Sequence, residues 1–555
     1  MADPRAAADA MLAKEQARVG EAGRAAERTL VIGMRSVPRV FDPLTDQEPW
    51  ARRVIDDLLF EGLTRRTPDH APFAEPGLAD TCVVDPPTGP ARDVYCHLPP
   101  EATFHDGEAV EVEDVVFSVE YWLDPRRATL RLQLGLDELR AIEVVDRPFG
   151  APELRDPGRW VRIGFDRPEP LALERVAAMK IVPRKKRRGK GRAFSVEPVG
   201  TGPMRLVAIE DDRVVFERVD PVEGPGAVMR LVLREVPDGA TGLSQLRRGD
   251  LHVLSSVSPS HVPDELAKPG MAPRFSAWVL SPPHFDAVLY NLRHGAQAGP
   301  RLREALDLGI PRGTLSPGGM PPAKAATVVD LQDPVPLDLA ALAEAGVSVT
   351  WGMAGLPEQL ASNDELNAAS AAALLDTLGW TLERGVRRKA TGNLRLVLMW
   401  NGEGAHARTL ATRLKDAWRG LGVQVPYATA GWSYLFGLMR RGEFDMALVR
   451  WVTHSDHDLY PLLHSRGANN VTGVADAALD GALEAYRAAQ TRAERQSAKA
   501  SIARRMEELR PVSLLHAPTE VMVVSNRVGA LRFVDDKPML SELRLGPEQS
   551  WLSGQ

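Results

Sequence analysis

The residues best suited to chemistry form a short run of imidazoles and carboxylates: His454, Asp456, His457, Asp458 and His464. Both groups are common ligands of transition metals in proteins. His454 and His457 lie three residues apart, so one helical turn would bring them together. The run contains no cysteine and no fixed ligand geometry. We expect a polar loop without a metal, and we keep a metal site at His454, His457 and His464 as the alternative.

The common catalytic motifs are missing from the chain. It contains no G-x-S-x-G, no H-E-x-x-H and no C-x-x-C. The stretch around Gly200 lacks the Lys-Ser/Thr and the following helix that a phosphate-binding loop requires. We therefore predict a binding protein that is not an enzyme and needs no cofactor.

The two cysteines flank a predicted hairpin. Cys82 and Cys96 lie on either side of VVDPPTGPARDVY, which has two strand-like ends and a Pro/Gly-rich centre. A hairpin would bring the two thiols together as a disulfide, which suits an exported protein. Two buried, reduced cysteines are the other interpretation, and the sequence does not choose between them.

Composition points to a soluble globular chain of two to four domains. The 555 residues carry 68 basic and 74 acidic side chains, for a net charge of −6. This balance argues against nucleic acid as a partner. The basic run 185–192, KKRRGKGR, is interpreted as a solvated loop. Residues 1–28 lack the apolar segment of a signal peptide, so they are interpreted as a tether or frayed helix.

Helical and strand-like segments alternate along the chain, which is typical of an α/β fold. The hydrophobic pattern predicts helices over 51–63, 405–421, 432–441 and 475–509. A further helix is predicted within 104–125, FHDGEAVEVEDVVFSVEYWLDP. There an Asp-Gly turn precedes an apolar face spaced at i, i+4 and i+7, and a proline ends the segment.

Segment 104–125 closely resembles the signature of the family 5 extracytoplasmic solute-binding proteins, the peptide-binding components of ABC importers. Other segments resemble motifs of this family and follow its order. They are 58–66, 198–206, 243–254, 288–295, 301–310, 440–451 and 510–518. Each motif is weak alone, and their shared order makes the resemblance specific over residues 29–528.

The resemblance implies a periplasmic-binding-protein-like clamshell, in which crossing strands join two lobes and one lobe carries an inserted domain. The first lobe would comprise residues 29–50, 195–287 and 518–555. The inserted domain would comprise 51–194, and the second lobe 288–517. Hinge closure would trap a ligand between the lobes.

The resemblance also implies contacts with the ligand from both lobes. In the first lobe the matching positions are Glu48, Pro49, Trp50, Ser255, Ser256 and Val257. In the second lobe they are Trp432, Trp451, Val452, Thr453, His454 and Asp456. Core packing is the alternative role for each tryptophan.

Three positions depart from the family pattern. Glu111 replaces the threonine that begins the signature helix, and His252 replaces an aspartate in the Gly-x-Ile-Asp-Val motif. His454 stands where peptide-binding members carry the aspartate that pairs with the ligand's α-ammonium. A neutral imidazole is no counter-ion for an ammonium group. Asp456 or Asp458 would have to take this role, or the ligand lacks a free N-terminus.

These observations predict a receptor that delivers peptides or similar oligomeric solutes to an ABC permease in the membrane. We expect a monomer in the periplasm or another extracytoplasmic compartment. Two alternatives stay open. One is a binder of a metal chelate such as a nickel complex, and the other is a sensing or scaffold protein that uses the same clamshell without transport.

Overall fold

The structure is a computed structural model of the whole chain. It describes residues 28–45, 48–67, 71–127, 131, 134–154, 159–222, 224–257, 265–266, 268, 270–280, 284–312, 335–337, 364–402, 405–452, 458–516, 520–534 and 537–546. The expected tether therefore lies outside the described residues, apart from Arg28.

The described part of the chain contains 26 strands. In chain order they are β1 (Thr29–Met34), β2 (Thr64–Arg66), β3 (Ala74–Pro76), β4 (Thr81–Asp85), β5 (Ala91–His97), β6 (Leu139–Val145), β7 (Trp160–Glu169), β8 (Met204–Ile209), β9 (Arg213–Arg218), β10 (Arg230–Glu235), β11 (Val253–Val257), β12 (Phe275–Leu280), β13 (His284–Tyr290), β14 (Val335–Leu337), β15 (Thr381–Glu383), β16 (Val386–Lys389), β17 (Gly392–Asn393), β18 (Leu398–Trp400), β19 (Tyr427–Thr429), β20 (Met446–Val452), β21 (Val512–His516), β22 (Glu520–Ser525), β23 (Val528–Gly529), β24 (Phe533–Val534), β25 (Lys537–Pro538) and β26 (Arg544–Leu545).

Helices lie between these strands. They are α1 (Pro49–Val54), α2 (Val112–Leu123), α3 (Ala172–Ala178), α4 (Arg184–Arg187), α5 (Gly191–Val196), α6 (Gly239–Arg248), α7 (Pro300–Leu308), α8 (Asp364–Thr377), α9 (Ala405–Gly420), α10 (Trp432–Arg441), α11 (Tyr460–Leu463), α12 (Ala477–Ala488) and α13 (Arg492–Leu509). A π-helix, Ile55–Leu59, continues α1.

Three sheets organise the molecule. The first-lobe sheet has eight strands in the order β14-β12-β22-β11-β1-β10-β9-β8. The second-lobe sheet has five, in the order β19-β18-β20-β13-β21, and the inserted domain has four, in the order β4-β5-β7-β6. Parallel and antiparallel pairs occur together: β1 runs parallel to β10, whereas β13 runs antiparallel to β20. The predicted α/β class is confirmed.

The hydrophobic cores divide the molecule into two bodies. One core contains Leu231 from the first lobe and Trp122 from the inserted domain, so these two domains share a single apolar interior. The cores on the two faces of the second-lobe sheet are built only from residues between Ala287 and Leu515. We call the first lobe with its inserted domain the first body, and the second lobe the second body.

The strands place the boundary between the lobes slightly differently from the expected one. His284–Ala287 belong to β13 and hence to the second-lobe sheet. Residues 335–337, expected in the second lobe, form β14 and pair with β12 at the edge of the first-lobe sheet. The other edge of β12 is taken by β22, so β14 occupies the remaining one. Pro336 suits this position because an edge strand leaves one side without ladder bonds.

The signature segment folds as predicted, with a different cap from the family's threonine. Val115, Val119 and Trp122 are buried on one face of α2, which ends two residues before Pro125. The backbone N–H of Glu111 donates to Asp114 Oδ2 at 2.9 Å. The carboxylate of the first turn therefore stabilises the helix start.

The basic run 185–192 differs from the expected solvated loop. Its first residues lie in α4, where Arg187 is buried and forms an ion pair with Asp42 at 2.7 Å. Lys186 pairs with Asp106 in the Asp-Gly turn. Two charges of the run, Lys186 and Arg187, are therefore paired within the first body. The side chains of Lys185, Arg188, Lys190 and Arg192 are exposed.

The predicted helix over 475–509 is two helices, α12 and α13. Thr491 caps the second one: its hydroxyl accepts the Glu494 N–H, and its own N–H donates to the Glu494 carboxylate, both at 3.2 Å. This Thr-x-x-Glu pattern is a capping box. Periodicity alone hides the break because both helices contribute apolar residues to the same core.

The hairpin around the cysteines forms as β4 and β5. Cys82 and Cys96 lie directly opposite each other in the register and are joined by a disulfide. The disulfide joins the edge strand β4 to its neighbour β5 within the inserted domain, so it does not connect the two bodies.

Candidate ligand-binding site

Two neighbouring connections join the lobes. The chain passes from β12 to β13 and returns from β21 to β22. On the first-lobe side Leu280 lies opposite Glu520, and on the second-lobe side Asp286 lies opposite His516. The strands that flank the two connections are therefore adjacent and antiparallel. We call these flanking strands and the two connections the interlobe bridge.

The first-lobe candidates Ser255, Ser256 and Val257 lie beside this bridge. Val257 is opposite Val521, in the strand that returns from the second lobe. On its other side β11 pairs with β1 only at Val253 and Leu254. The β1-facing edge of Ser255–Val257 therefore extends past the last paired residue of β1. The Ser256 side chain is exposed, whereas those of Ser255 and Val257 are buried.

Glu48, Pro49 and Trp50 form the start of α1. Glu48 is the N-cap, and its carboxylate accepts the Ala51 N–H at 2.6 Å. Pro49 occupies the first helical position, which suits its fixed φ. Trp50 is half-buried against the shared core, with the Arg53 guanidinium 4.5 Å from its ring centroid. Glu48 and Trp50 therefore have structural roles, in helix capping and core packing respectively, besides any contact with a ligand.

The second-lobe candidates lie at the matching side of the bridge. Trp451 and Val452 end β20, opposite Phe285 and His284 at the start of β13. Trp432 is the first residue of α10. The pairing register therefore places the end of β11 on the first-lobe side of the bridge and the end of β20 on its second-lobe side. Thr453, His454, Asp456 and His457 fall outside the described residues.

The third histidine of the metal alternative is engaged within the second lobe. His464 is 1% exposed, and its Nδ1 accepts the Arg466 N–H at 2.9 Å. Its Nε2 lies 3.2 Å from the Glu484 carboxylate, which fixes the tautomer with the proton on Nε2. Neither ring nitrogen therefore has a free lone pair. Within the described ranges, no group of three or more His, Cys, Asp or Glu could hold a metal ion.

Asp458 has a different role from that of a ligand counter-ion. Its side chain is 1% exposed, and its Oδ2 lies 2.5 Å from Arg175 of the inserted domain and 2.6 Å from Arg487. Two guanidinium groups already neutralise this carboxylate. Sequence reasoning missed both arginines because they lie far from Asp458 along the chain. Asp456 and Asp458 were the two candidates to pair with the ligand's α-ammonium in place of the family's aspartate. Since Asp458 is already paired with two arginines, the prediction now applies to Asp456 alone.

A second charge pair lies at the bridge. Asp286 of β13 and Arg450 of β20 are opposite each other, with Nε 3.1 Å from Oδ1. Asp286 is buried, whereas half of the Arg450 side chain is exposed.

Comparison with known proteins now identifies the family. A family model described as bacterial extracellular solute-binding proteins, family 5 Middle, matches residues 88–472. The chain belongs to this family. The family membership predicted from the sequence motifs is therefore confirmed. Among the described helices of this family 5 protein, none has the length and apolar character needed to cross a membrane.

One curated relative of this family 5 protein is the probable di/tripeptide-binding protein 5 of Pseudomonas aeruginosa (strain UCBPP-PA14). It is 24% identical over 230 residues, which cover 39% of this chain and 42% of the relative. The match thus spans less than half of the relative's length.

Solved structures share the fold over nearly the whole of this family 5 protein. HbpA2 from Haemophilus parasuis superposes with a TM-score of 0.64 at 16% identity, covering 94% of this chain and all of that one. The oligopeptide-binding protein AppA from Bacillus subtilis, in complex with a nonapeptide, gives 0.56 at 17% identity over 94% and 99%. NikZ from Campylobacter jejuni, in complex with Ni(L-His), gives 0.54 at 17% identity over 93% and 99%. The clamshell fold is confirmed.

Proposed function

We propose that this protein is an extracytoplasmic receptor. It binds peptides or similar oligomeric solutes between its two bodies as a monomer, and it delivers them to an ABC permease without a catalytic step. The observation that carries the proposal is the backbone edge of Ser255–Val257, which lies beside the interlobe bridge and extends past the last paired residue of β1. An extended peptide can bind such an edge as an added strand.

The same edge explains how the receptor accepts different side chains. Hydrogen bonds to a ligand backbone do not depend on its sequence, and alternate side chains of an added strand point to opposite faces. Trp451, across the bridge at the end of β20, would supply an aromatic contact. The relative named for binding di- and tripeptides and the nonapeptide complex of a structural neighbour support this class of ligand.

Asp458 is held by two arginines, and His454 replaces the family's aspartate. We therefore propose that the ligand's α-ammonium is not the main anchor, unless Asp456 takes that role. Peptides with a free and with an acetylated N-terminus should then bind with similar affinity.

The test is native mass spectrometry of the purified protein, followed by calorimetry with di- to nonapeptides, their acetylated forms, sugars and nickel–histidine. We expect peptides to bind and Trp451→Ala to weaken binding by about tenfold or more. Phe149→Ala is the matched control, because Phe149 is a fully exposed aromatic residue of the inserted domain. Binding of none of the peptides, or equal effects of the two variants, would contradict the proposal. Binding of nickel–histidine alone would support the metal-chelate alternative.

A further inference from the structure

Where the inserted domain meets the second lobe, charged side chains form a buried cluster. Its members, which we call the interlobe cluster, are Arg66, Glu169, Glu174 and Arg175 from the inserted domain and Asp458, Arg487 and Arg495 from the second lobe. The first four belong to the first body and the last three to the second. The cluster therefore lies on the contact surface between the two bodies.

Two carboxylates bind across this surface. Glu174 Oε1 lies 2.5 Å from Arg495 of the other body, and Glu174 Oε2 lies 3.2 Å from Arg66 of its own. Asp458 mirrors this arrangement from the second lobe, with Arg175 as the partner across the surface and Arg487 within its own lobe. Each carboxylate is thus shared between one arginine from each body.

The burial of these groups is unusual for a contact between moving domains. The side chains of Glu174 and Asp458 are 1% exposed, that of Arg175 is 2%, and those of Arg487 and Arg495 are 11%. Loss of one partner from a buried ion pair is strongly destabilising, because it leaves the other charge buried without compensation. The ion pairs between the bodies exist only while the two bodies are in contact.

Two neighbouring features show that the contact surface is shaped for these arginines. Phe73 has a φ of +55°, which is costly for an aromatic residue, and its buried ring lies 3.4 Å from the Arg495 guanidinium carbon. Gly135 leaves room for Arg175, because a Cβ at Gly135 would lie within 2.4 Å of that guanidinium. One backbone bond, from Ala71 N–H to the Gln490 carbonyl at 2.9 Å, also joins the bodies here.

We infer that the interlobe cluster holds the closed arrangement of the receptor independently of any solute in the cleft. This inference rests on the proposed function for the meaning of closure, but the cluster itself requires no ligand. When the hinge opens, water replaces the ion pairs, so the cost of opening stays finite and the two states interconvert. A receptor that closes partly by itself holds its solute longer, because release requires the cluster to separate first.

The experiment measures the distance between the bodies without ligand. The two cysteines of the chain form a disulfide. Cysteines introduced at the exposed positions Phe149 and Leu382 can therefore carry spin labels on the first and second body, respectively. Pulsed electron spin resonance on the full chain then gives the populations of short and long distances. We expect the short distance to dominate in the wild type.

Glu174→Gln leaves Arg66 and Arg495 without their shared carboxylate, and Arg495→Gln leaves Glu174 without its partner across the surface. Each variant should raise the ratio of open to closed molecules by about tenfold or more. The double variant should open no further than the stronger single variant, because both changes remove the same pair.

Arg187→Gln is the matched control, because the Arg187–Asp42 pair is equally buried but joins two parts of the first body. It should lower the melting temperature and leave the distance populations unchanged. Circular dichroism checks that every variant folds. Unchanged distances in folded Glu174→Gln and Arg495→Gln, additive opening in the double variant, or opening in the control would each overturn the inference. None of these results depends on peptide binding, so the proposed function is tested separately.

Discussion

The inserted domain meets the first lobe mainly through an apolar core and the second lobe mainly through charged side chains. Against the first lobe it shares an apolar core, and the backbone N–H of Gly202 donates to the Leu59 carbonyl at 3.0 Å. Against the second lobe it presents the interlobe cluster of buried arginines and carboxylates. An apolar interface cannot separate without exposing its core to water, whereas ion pairs that separate become hydrated. We therefore expect the apolar junction to stay closed and the charged junction to be the one that can open.

The largest expected effect comes from breaking the apolar junction. Gly200 lies so close to the inserted domain that a Cβ there would be 1.9 Å from the Leu59 carbonyl oxygen. Gly200→Ala should therefore lower the free energy of unfolding by about 3 kcal/mol, because the backbone of one domain must shift. Urea denaturation followed by circular dichroism measures this loss.

The control is Gly481→Ala, since Gly481 lies inside α12 and a Cβ there would contact nothing within 4 Å. It should raise the free energy of unfolding by up to about 1 kcal/mol. Equal effects of the two substitutions would show that the first lobe and inserted domain are not packed as one body.

A smaller effect should appear when the first body is acidified. Burial lowers the pKa of His252 from 6.5 to about 4, and its Nδ1 accepts the Val31 N–H at 3.0 Å. Between these two values the unfolded chain binds a proton that the folded chain does not. The free energy of unfolding should therefore fall as the pH drops from 6.5 towards 4, by roughly 2–3 kcal/mol in total.

Denaturation at a series of pH values checks this dependence. Burial also lowers the pKa of His105, which bonds to Gly200 and Gly202 at the apolar junction, so the two histidines act in the same direction. His252→Asn keeps an acceptor for Val31 and should remove only the His252 contribution. A variant with the same pH profile as the wild type would assign the whole effect to other groups.

The smallest expected effect concerns salt at the charged junction. Because the interlobe cluster is buried, dissolved ions screen it weakly in the closed state. Raising NaCl to about 0.5 M should change the ratio of open to closed wild-type molecules by less than about threefold. The spin-label distances described above measure this ratio. A larger change would mean that water and ions already penetrate the cluster.

Local patterns predicted much of the fold. The face formed by Val115, Val119 and Trp122 was visible because helix period and burial coincide there. The break at Thr491 was missed, since a capping box interrupts the backbone without interrupting the apolar pattern. The position of β14 was also missed, because pairing with β12 depends on which sheet edge is free.

The candidate site was less predictable for a physical reason. The resemblance to the family indicated Ser255–Val257 and Trp451, which lie at the ends of β11 and β20. The partners of Asp458 lie 283 residues away at Arg175 and 29 residues away at Arg487. Long-range ion pairs leave no periodic signal in a sequence. The sequence therefore left Asp458 as a candidate to bind a ligand, whereas in the structure it is paired with two arginines.

The order of strands in the first-lobe sheet has a consequence for biosynthesis. β22 lies between β12 and β11 in that sheet, yet residues 520–525 leave the ribosome after every strand beside them. Until then β11 and β12 have no partner between them, and the bridge has only one of its two connections. The first lobe can therefore complete its sheet only after residues 520–525 have been synthesised. A nascent chain halted before residue 520 would display two apolar strands to chaperones.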